Sequence, residues 1–185
     1  MSLEYAILGF LDHRPYTGYD LKKIFDTSVK HFWPADQSQI YRTLSKLTEN
    51  GWARMEKIEQ ENRPAKKEYS ITPGGRQALQ KWLVTPLPFG DNRSAPMIQV
   101  FFAGQLPDAQ VLEMFERIAN YLRVGKAAFD AIPQEIDHYQ EYIQSPRDFY
   151  FWMLTLEIGK ITAEANLAWV ESMIQRIHAG EIPQD

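Results

Sequence analysis

Apolar positions recur at helical spacing along most of the chain, and one stretch in the first half alternates instead. Leu3, Ile7, Leu8 and Leu11 stand at i, i+4, i+5 and i+8, which predicts a helix over 3–12. Pro15 and Gly18 in "HRPYTGYD" break it. Thr17 is placed to cap a second helix, with Asp20 three residues on as an approximate capping box and Leu21, Ile24 and Phe25 as its apolar face. "HFWP" closes that unit. Asp36 is a natural N-cap for a third helix, with Gln39 at the N3 position, and Gly51 stands where a C′ glycine ends such a helix. Ile40, Leu44 and Leu47, at i, i+4 and i+7, form its inward face. The period then changes. "WARMEKIE" and "KKEYSIT" predict two short strands, with Tyr69 and Ile71 on one face and "QENRPA" as a polar hairpin tip. In "TPGGRQALQKWL", Thr72 caps a fourth helix and Pro73 takes its first position.

The order helix, helix, helix, strand, strand, helix is that of a winged helix, a helix-turn-helix followed by a β-hairpin. Residues 84–96, "VTPLPFGDNRSAP", read as a linker. Beyond it the pattern is helical throughout. Val111, Phe115, Ile118, Leu122, Phe129 and Ile132 follow one another at 4, 3, 4, 7 and 3 residues, a coiled-coil-like seam. From Pro146 to about His178 a helix of roughly nine turns is predicted, and it carries two apolar stripes. One is Leu156, Ala163, Leu167, Val170, Ile174 and Ile177; the other is Phe149, Met153, Ile161, Ala165, Trp169 and Met173. A surface helix needs one stripe, so two predict burial against both its own chain and a second copy. The residues expected at that interface are Phe115, Ile118, Leu122, Trp152, Leu156, Ala163, Leu167, Trp169, Val170 and Ile174. A long central helix in a monomeric bundle would carry the same pattern. The expected fold is therefore mainly α: an N-terminal winged helix-turn-helix with a two-stranded β-hairpin wing, then an all-α C-terminal dimerisation domain. The expected boundaries are 1–83, 84–96 and 97–185.

Charge adds an asymmetry. The 185 residues carry a net −4, yet residues 1–83 hold 13 Lys/Arg against 10 Asp/Glu, and residues 84–185 hold 7 against 14. The N-terminal part is thus the better suited to a polyanion, although a mild excess also arises by chance. Cysteine is absent, which excludes disulfides and thiolate metal sites and fits a reducing cytoplasm. No apolar run approaches the roughly 18 residues of a membrane span. The start "MSLEYAILGFLDHRP" carries Glu4 and Asp12 and no basic leader, so it is not read as a signal peptide.

With Ile40, Leu44 and Leu47 inward, the third helix turns Gln37, Ser38, Tyr41, Arg42, Ser45, Lys46 and Glu49 outward, with Gln39 near the boundary. Gln pairs bidentately with adenine, Arg with guanine, and Ser with either. A helix N-terminus also favours phosphate through its free N–H groups and dipole. Recognition helices put these first residues on base edges in the major groove. Any surface helix carries such residues, but here a basic hairpin follows, with Arg63, Lys66 and Lys67 around its tip, suited to phosphate or the minor groove. The two together in this order point to double-stranded DNA. A winged helix that docks proteins remains the alternative of another class.

The segments "TGYDL" (17–21), "FW" (32–33), "QIYRTLSKL" (39–47), "ENGW" (49–52), "RPAKKEYSIT" (63–72) and "TPGGRQAL" (72–79) cover most of residues 1–83. In them the chain resembles the PadR-like transcriptional regulators, and within these the virulence-activator AphA-like subgroup with a long helical C-terminal domain. "PMIQVFFAGQL" (96–106) is similar to the segment that opens that domain. Trp52 stands where the family usually has Leu, and Asn62 where a Gly often sits in the wing. The resemblance implies a homodimeric DNA-binding regulator, usually a repressor. Its implied contacts are Gln37, Ser38, Gln39, Tyr41, Arg42 and the wing cations, with Tyr19 and Lys22 near the DNA backbone. For Tyr41 two readings stay open: a reader, or a packed ring whose hydroxyl alone reaches a phosphate.

The four histidines, at 13, 31, 138 and 178, have no spacing that places ligands on one helical face, so no metal or cofactor is expected; His138 and Glu141 read as a solvated pair. No phosphate-cradling glycine loop or nucleophile motif is present, and an enzyme reading has no constellation to rest on. The aromatics "FYFW" (149–152) and Trp169 point to every side of their helix. They suit a core, a dimer interface, or a pocket for a small aromatic effector of the kind the family resemblance implies.

Overall fold

The computed structural model describes residues 2–30, 32–60, 63–87, 94–132 and 145–183. The chain divides into two units, residues 1–88 and 89–185. In the first, helices α1 (Ser2–His13), α2 (Gly18–Thr27) and α3 (Gln37–Glu49) enclose one apolar core. Ile7, Leu8, Leu11, Leu21, Ile24, Phe25, Ile40, Leu44 and Leu47 are all buried there. Both expected capping boxes form. Thr17 accepts from the Asp20 N–H while the Asp20 side chain reaches back, and Asp36 does the same with Gln39. Each such cap contributes about 0.5–2 kcal/mol by satisfying N–H groups the helix leaves free.

The sheet has three strands rather than the two expected. β1 (Tyr16–Thr17), β2 (Ala53–Gln60) and β3 (Arg63–Ile71) lie in the order β1-β3-β2, all neighbours antiparallel. A two-residue strand beside Pro15 leaves no alternation in the sequence, so "HRPYTGYD" reads only as a break. Its pairing of Tyr16 with Tyr69 ties the start of α2 to the sheet. The hairpin is also tighter than "QENRPA" suggests, because the register runs on to Gln60 opposite Arg63. Pro64 and Ala65 face Glu59 alone, between the Ile58–Lys66 and Gln60–Arg63 pairs. That irregularity accommodates a proline, which has no N–H for the ladder.

The base of the hairpin is fastened to α3 and to α4 (Pro73–Leu83) at one point. Gly51 takes φ 71°, the left-handed turn that ends α3. The Trp52 N–H then donates to the Leu47 carbonyl at 2.8 Å, and the Trp52 carbonyl accepts from Thr72 N–H at 3.0 Å. The Thr72 hydroxyl donates to the Gly51 carbonyl at 2.6 Å and accepts from the Gly75 N–H at 3.1 Å. Around this point Tyr5 stacks on Trp82 at 4.8 Å, with Trp52 6.1 Å from Tyr5, and Arg76 of α4 bonds Asp12 of α1 at 2.6 Å.

The second unit opens with α5 (Ala95–Phe101) and a short 3-10 turn (Ala103–Gln105). The helices α6 (Asp108–Ala131) and α7 (Pro146–His178) then run antiparallel. At 33 residues, α7 is about 50 Å long. Val111, Met114, Phe115 and Ala119 of α6 meet Val170 of α7, flanked by Ile118, Leu122, Leu167, Met173, Ile174 and Ile177. Arg123 pairs with Glu171 at 2.7 Å, and Lys126 lies between Asp130 at 2.7 Å and Glu164 at 3.8 Å. The hydrogen bond with Asp130 holds the Lys126 ammonium above its ordinary range and the Asp130 carboxyl below its own.

This packing redraws the expected interface. Phe115, Ile118, Leu122, Leu167, Val170 and Ile174 belong to the α6–α7 seam of one chain, and Ala163 follows Leu156 and precedes Val170 at seven-residue steps. Leu156 is buried, Trp152 half-buried, and Trp169 sets its ring edge-on to Phe115 at 5.9 Å. Two stripes can be read from periodicity, but not which of them faces α6. The apolar side chains left open on the opposite side of α7 are Phe151, Leu154, Ile158 and Ile161, at steps of 3, 4 and 3.

The two adjacent glycines of α4 separate the local from the tertiary demand. A Cβ on Gly75 would lie 2.1 Å from the Trp52 carbonyl oxygen, whereas one on Gly74 would meet nothing nearer than 3.7 Å. Gly75→Ala is expected to destabilise by about 1–3 kcal/mol or more despite the better helix propensity of Ala. Gly74→Ala is expected to be neutral or mildly stabilising, and thermal denaturation of the two variants side by side checks the pair.

Candidate nucleic-acid interface

Ile40, Leu44 and Leu47 are 0% exposed, so the register of α3 is fixed and its opposite face is fixed with it. Gln37, Ser38, Gln39, Arg42, Ser45 and Lys46 are exposed on that face. Their freedom differs. Gln37, Ser38 and Arg42 make no side-chain hydrogen bond or ion pair with other described residues, and their polar ends are available to a ligand. The Gln39 side-chain oxygen accepts from the Asp36 N–H at 2.9 Å, which closes the cap. Its amide is therefore committed to the helix start and cannot pair bidentately with a base while the cap holds. Lys46 donates to Glu4 Oε1 at 2.6 Å, and that carboxylate is largely buried in α1. Its charge is thus spent mainly on the α1–α3 contact.

Tyr41 resolves toward packing. A Cβ on Gly18 would stand 2.5 Å from the Tyr41 ring, so the ring lies over the first residue of α2 where only glycine leaves room. Burial, and then the charge of Tyr41, push the Tyr69 phenol above its ordinary value. Tyr41 is still 39% exposed, so it spans the junction of α2, α3 and sheet with part of its surface open. "TGYDL" and "QIYRTL" signal this only as separate motifs. Their meeting is tertiary.

The remaining sequence-selected residues lie around this face. Tyr19 is 68% exposed at the start of α2. Lys22 pairs with Asp26 one turn on. In the hairpin, Lys66 lies 3.4 Å from Glu68 on its own strand, whereas Lys67 is exposed. Arg63 is the first residue of β3. Lys57, which the sequence did not single out, is the register partner of Lys67. Asn62, His31, His138 and Glu141 lie outside the described residues. Among the described residues no group of three His, Asp or Glu gathers as a metal set, and no helix is long and apolar enough to cross a membrane. In α7, Arg147 lies over the Phe151 ring at 5.2 Å, and Phe151 meets Tyr150 edge-on at 5.6 Å.

Comparison with known proteins decides the class of this arrangement. Residues 7–81 match the Transcriptional regulator PadR-like family, and residues 92–178 match the Virulence activator alpha C-term family. The first unit is thus similar to the PadR-like transcriptional regulators, and the second to the C-terminal domain of the virulence activators. The matched family and the curated relatives are transcriptional regulators. The chain is similar to the negative transcriptional regulator PadR of Bacillus subtilis, 33% identical over 115 residues, 62% of this chain and 63% of that one. It is also similar to the probable transcriptional regulator Rv1176c of Mycobacterium tuberculosis, 42% identical over 87 residues, 47% of this chain and 46% of that one. The matches thus span between about half and three fifths of these curated relatives. In fold, the Bacillus subtilis PadR structure in complex with operator DNA matches with a TM-score of 0.80 at 26% identity, over 96% of this chain and 99% of that one. The Vibrio cholerae virulence activator AphA matches with a TM-score of 0.74 at 25% identity, over 96% and 98%.

The Gly18–Tyr41 fit is open to a double-mutant cycle. Gly18→Ala alone is expected to displace the ring and lower stability, while the same change in a Tyr41→Ala background costs little. The coupling is expected at about 0.5–3 kcal/mol, measured by denaturant unfolding of the four chains.

Proposed function

We propose that the chain binds pseudo-palindromic operator DNA as a homodimer in the cytoplasm and represses transcription there. The observation that carries this reading is the outward face of α3, where Gln37, Ser38 and Arg42 stand unpaired among the described residues at a capped helix start beside a basic hairpin. The positive end of the helix favours phosphate, and the three side chains can address base edges. The complex of the Bacillus subtilis PadR structure with operator DNA and the name of that regulator as negative support the partner and the sign. A second copy is supported by the open side of α7, where Phe151, Leu154, Ile158 and Ile161 form a seam on the face away from α6. Two copies would present α3 helices to half-sites about 34 Å, or a multiple of it, apart. A protein-docking winged helix is the rival, and Arg42 and Lys67, unpaired among the described residues, speak against it.

The test is a titration of the chain into a labelled duplex of its own promoter region and into scrambled DNA, at several salt concentrations. Tighter binding to the promoter with a steep salt slope for both is expected; no affinity at low salt would favour the docking module. In the same assay Arg42→Ala is expected to cost about 1–3 kcal/mol and to relax specificity. Ile158→Glu is expected to yield a monomer in sedimentation and to lose the promoter preference.

A second reading concerns an effector. Arg147, Tyr150 and Phe151 place a guanidinium beside two exposed rings, a setting suited to a small aromatic acid, and a Bacillus subtilis PadR structure is in complex with p-coumaric acid. Calorimetric titration of phenolic acids is expected to give heat that Arg147→Ala removes; silence across the series would leave the regulator without this class of effector.

A further inference from the structure

The register of the wing sorts its charges by face. Side chains directly opposite in an antiparallel pair share a face, and successive pairs alternate. Arg54–Ser70, Glu56–Glu68 and Ile58–Lys66 therefore lie on one side, and Ala53–Ile71, Met55–Tyr69 and Lys57–Lys67 on the other. On the first side Glu56 and Glu68 also stand opposite each other, but each carboxylate is held by a cation of its own strand, Arg54 on Glu56 at 2.9 Å and Lys66 on Glu68 at 3.4 Å. The second side ends in two exposed ammonium groups that have no carboxylate within ion-pair distance among the described residues. Glu59, two residues on from Lys57 and also exposed, makes no such pair with it. Like charges directly opposite destabilise a strand pair, so Lys57 and Lys67 stand against each other at a cost to the free protein.

The same face carries Tyr69, whose partner on β1 is Tyr16, and two residues on from Tyr16 the Tyr41 ring of α3 lies over Gly18. One strand step of two residues, roughly 7 Å, leads from the Met55–Tyr69 pair to Lys57–Lys67. The lysine pair thus continues the sheet face that meets the recognition helix, and Lys66 points to the other side. We propose that Lys57 and Lys67 together form the wing's phosphate clamp, with one DNA backbone phosphate held between the two ammonium groups, and that Lys66 takes no part. This rests on the operator-binding reading above and extends it to a residue, Lys57, that neither motif nor charge run marks. A phosphate between the lysines removes their repulsion, so binding is also expected to stiffen the hairpin.

The experiment is the salt-dependent titration of operator and scrambled duplexes with the full chain and its Lys57→Ala, Lys57→Glu, Lys67→Ala and Lys66→Ala variants, alongside thermal unfolding without DNA. Lys57→Ala and Lys67→Ala are each expected to flatten the logarithmic salt slope by about one unit on both duplexes, and Lys66→Ala to leave it unchanged. Lys57→Glu places a carboxylate opposite Lys67; it is expected to weaken DNA binding by roughly tenfold or more while raising the midpoint of the free protein by about 1–4 °C. A stabilised protein with weaker binding is not what a structural lesion produces. The assignment is overturned if Lys57→Ala keeps the wild-type slope while the wild type binds, if Lys66→Ala shows the loss instead, or if Lys57→Glu loses binding and stability together. A wild-type chain without salt-dependent affinity overturns the operator reading itself.

Discussion

The first unit depends on a single backbone junction, where the Trp52 carbonyl meets the Thr72 N–H and Gly75 passes against it. α3 ends there through Gly51, the hairpin begins and returns there, and α4 starts there through the Thr72 cap. Three elements share two residues of chain on one side and four on the other. In the proposed operator-binding role helix and wing approach the same ligand, and neither has enough core of its own to hold its direction: the hairpin is two strands with an edge, marginal alone in water. Fixing both ends of the hairpin to the end of α3 turns two loosely related elements into one surface. Glycine at 75 follows from this closeness and not from the needs of a helix, since a Cβ would enter the carbonyl.

A second constraint acts on α3 itself. A helix that presents its N-terminus to solvent leaves N–H groups without partners, and its first turn must be held by its own side chains. Here Asp36 and Gln39 do so, Lys46 is tied to Glu4, and Tyr41 is wedged over Gly18. Gln39, Tyr41 and Lys46 are thereby engaged in holding the helix still. What remains in its first two turns, Gln37, Ser38 and Arg42, is narrower than the sequence suggests but better oriented, because its scaffold is already bonded before any ligand arrives.

The folded elements were largely legible because they rest on local signals. The capping boxes at Thr17 and Asp36, the C′ glycine at 51 and Pro73 at the first turn of α4 state their helix ends in a few residues each. The α6 and α7 helices follow from apolar periodicity over 24 and 33 residues. What periodicity cannot carry is which partner a face meets. Leu167, Val170 and Ile174 read equally well toward a second copy or toward α6, and the structure gives them to α6. β1 was invisible because two residues have no period, and the commitment of Gln39 and Lys46 was invisible because the choice between ligand and neighbour is made by distances across the fold, 42 residues apart in the case of Glu4 and Lys46.

The same limit applies to charge. Residues 54–68 contain Arg54, Glu56, Lys57, Glu59, Glu61, Arg63, Lys66, Lys67 and Glu68, which in composition is a mixed and nearly neutral segment. Period two divides it into faces, and the register then decides which charges stand opposite. On α6 and α7, where packing alone is at stake, opposite charges face each other: Arg123 with Glu171, Lys126 with Glu164, Lys160 with Asp130. On the far side of the wing Glu56 and Glu68 stand opposite each other, but each is held by a cation of its own strand, Arg54 and Lys66; Lys57 and Lys67 on the other side have no such partner among the described residues. A fold free to choose would pair Lys67 with an acid across the ladder, and it holds Glu56 and Glu68 within one residue of the place. An arrangement that gives Glu56 and Glu68 a cation each and leaves two opposed lysines without a carboxylate in reach among the described residues is relieved by an added anion, so this departure from pairing is better evidence for a polyanionic partner than the net charge of either half of the chain.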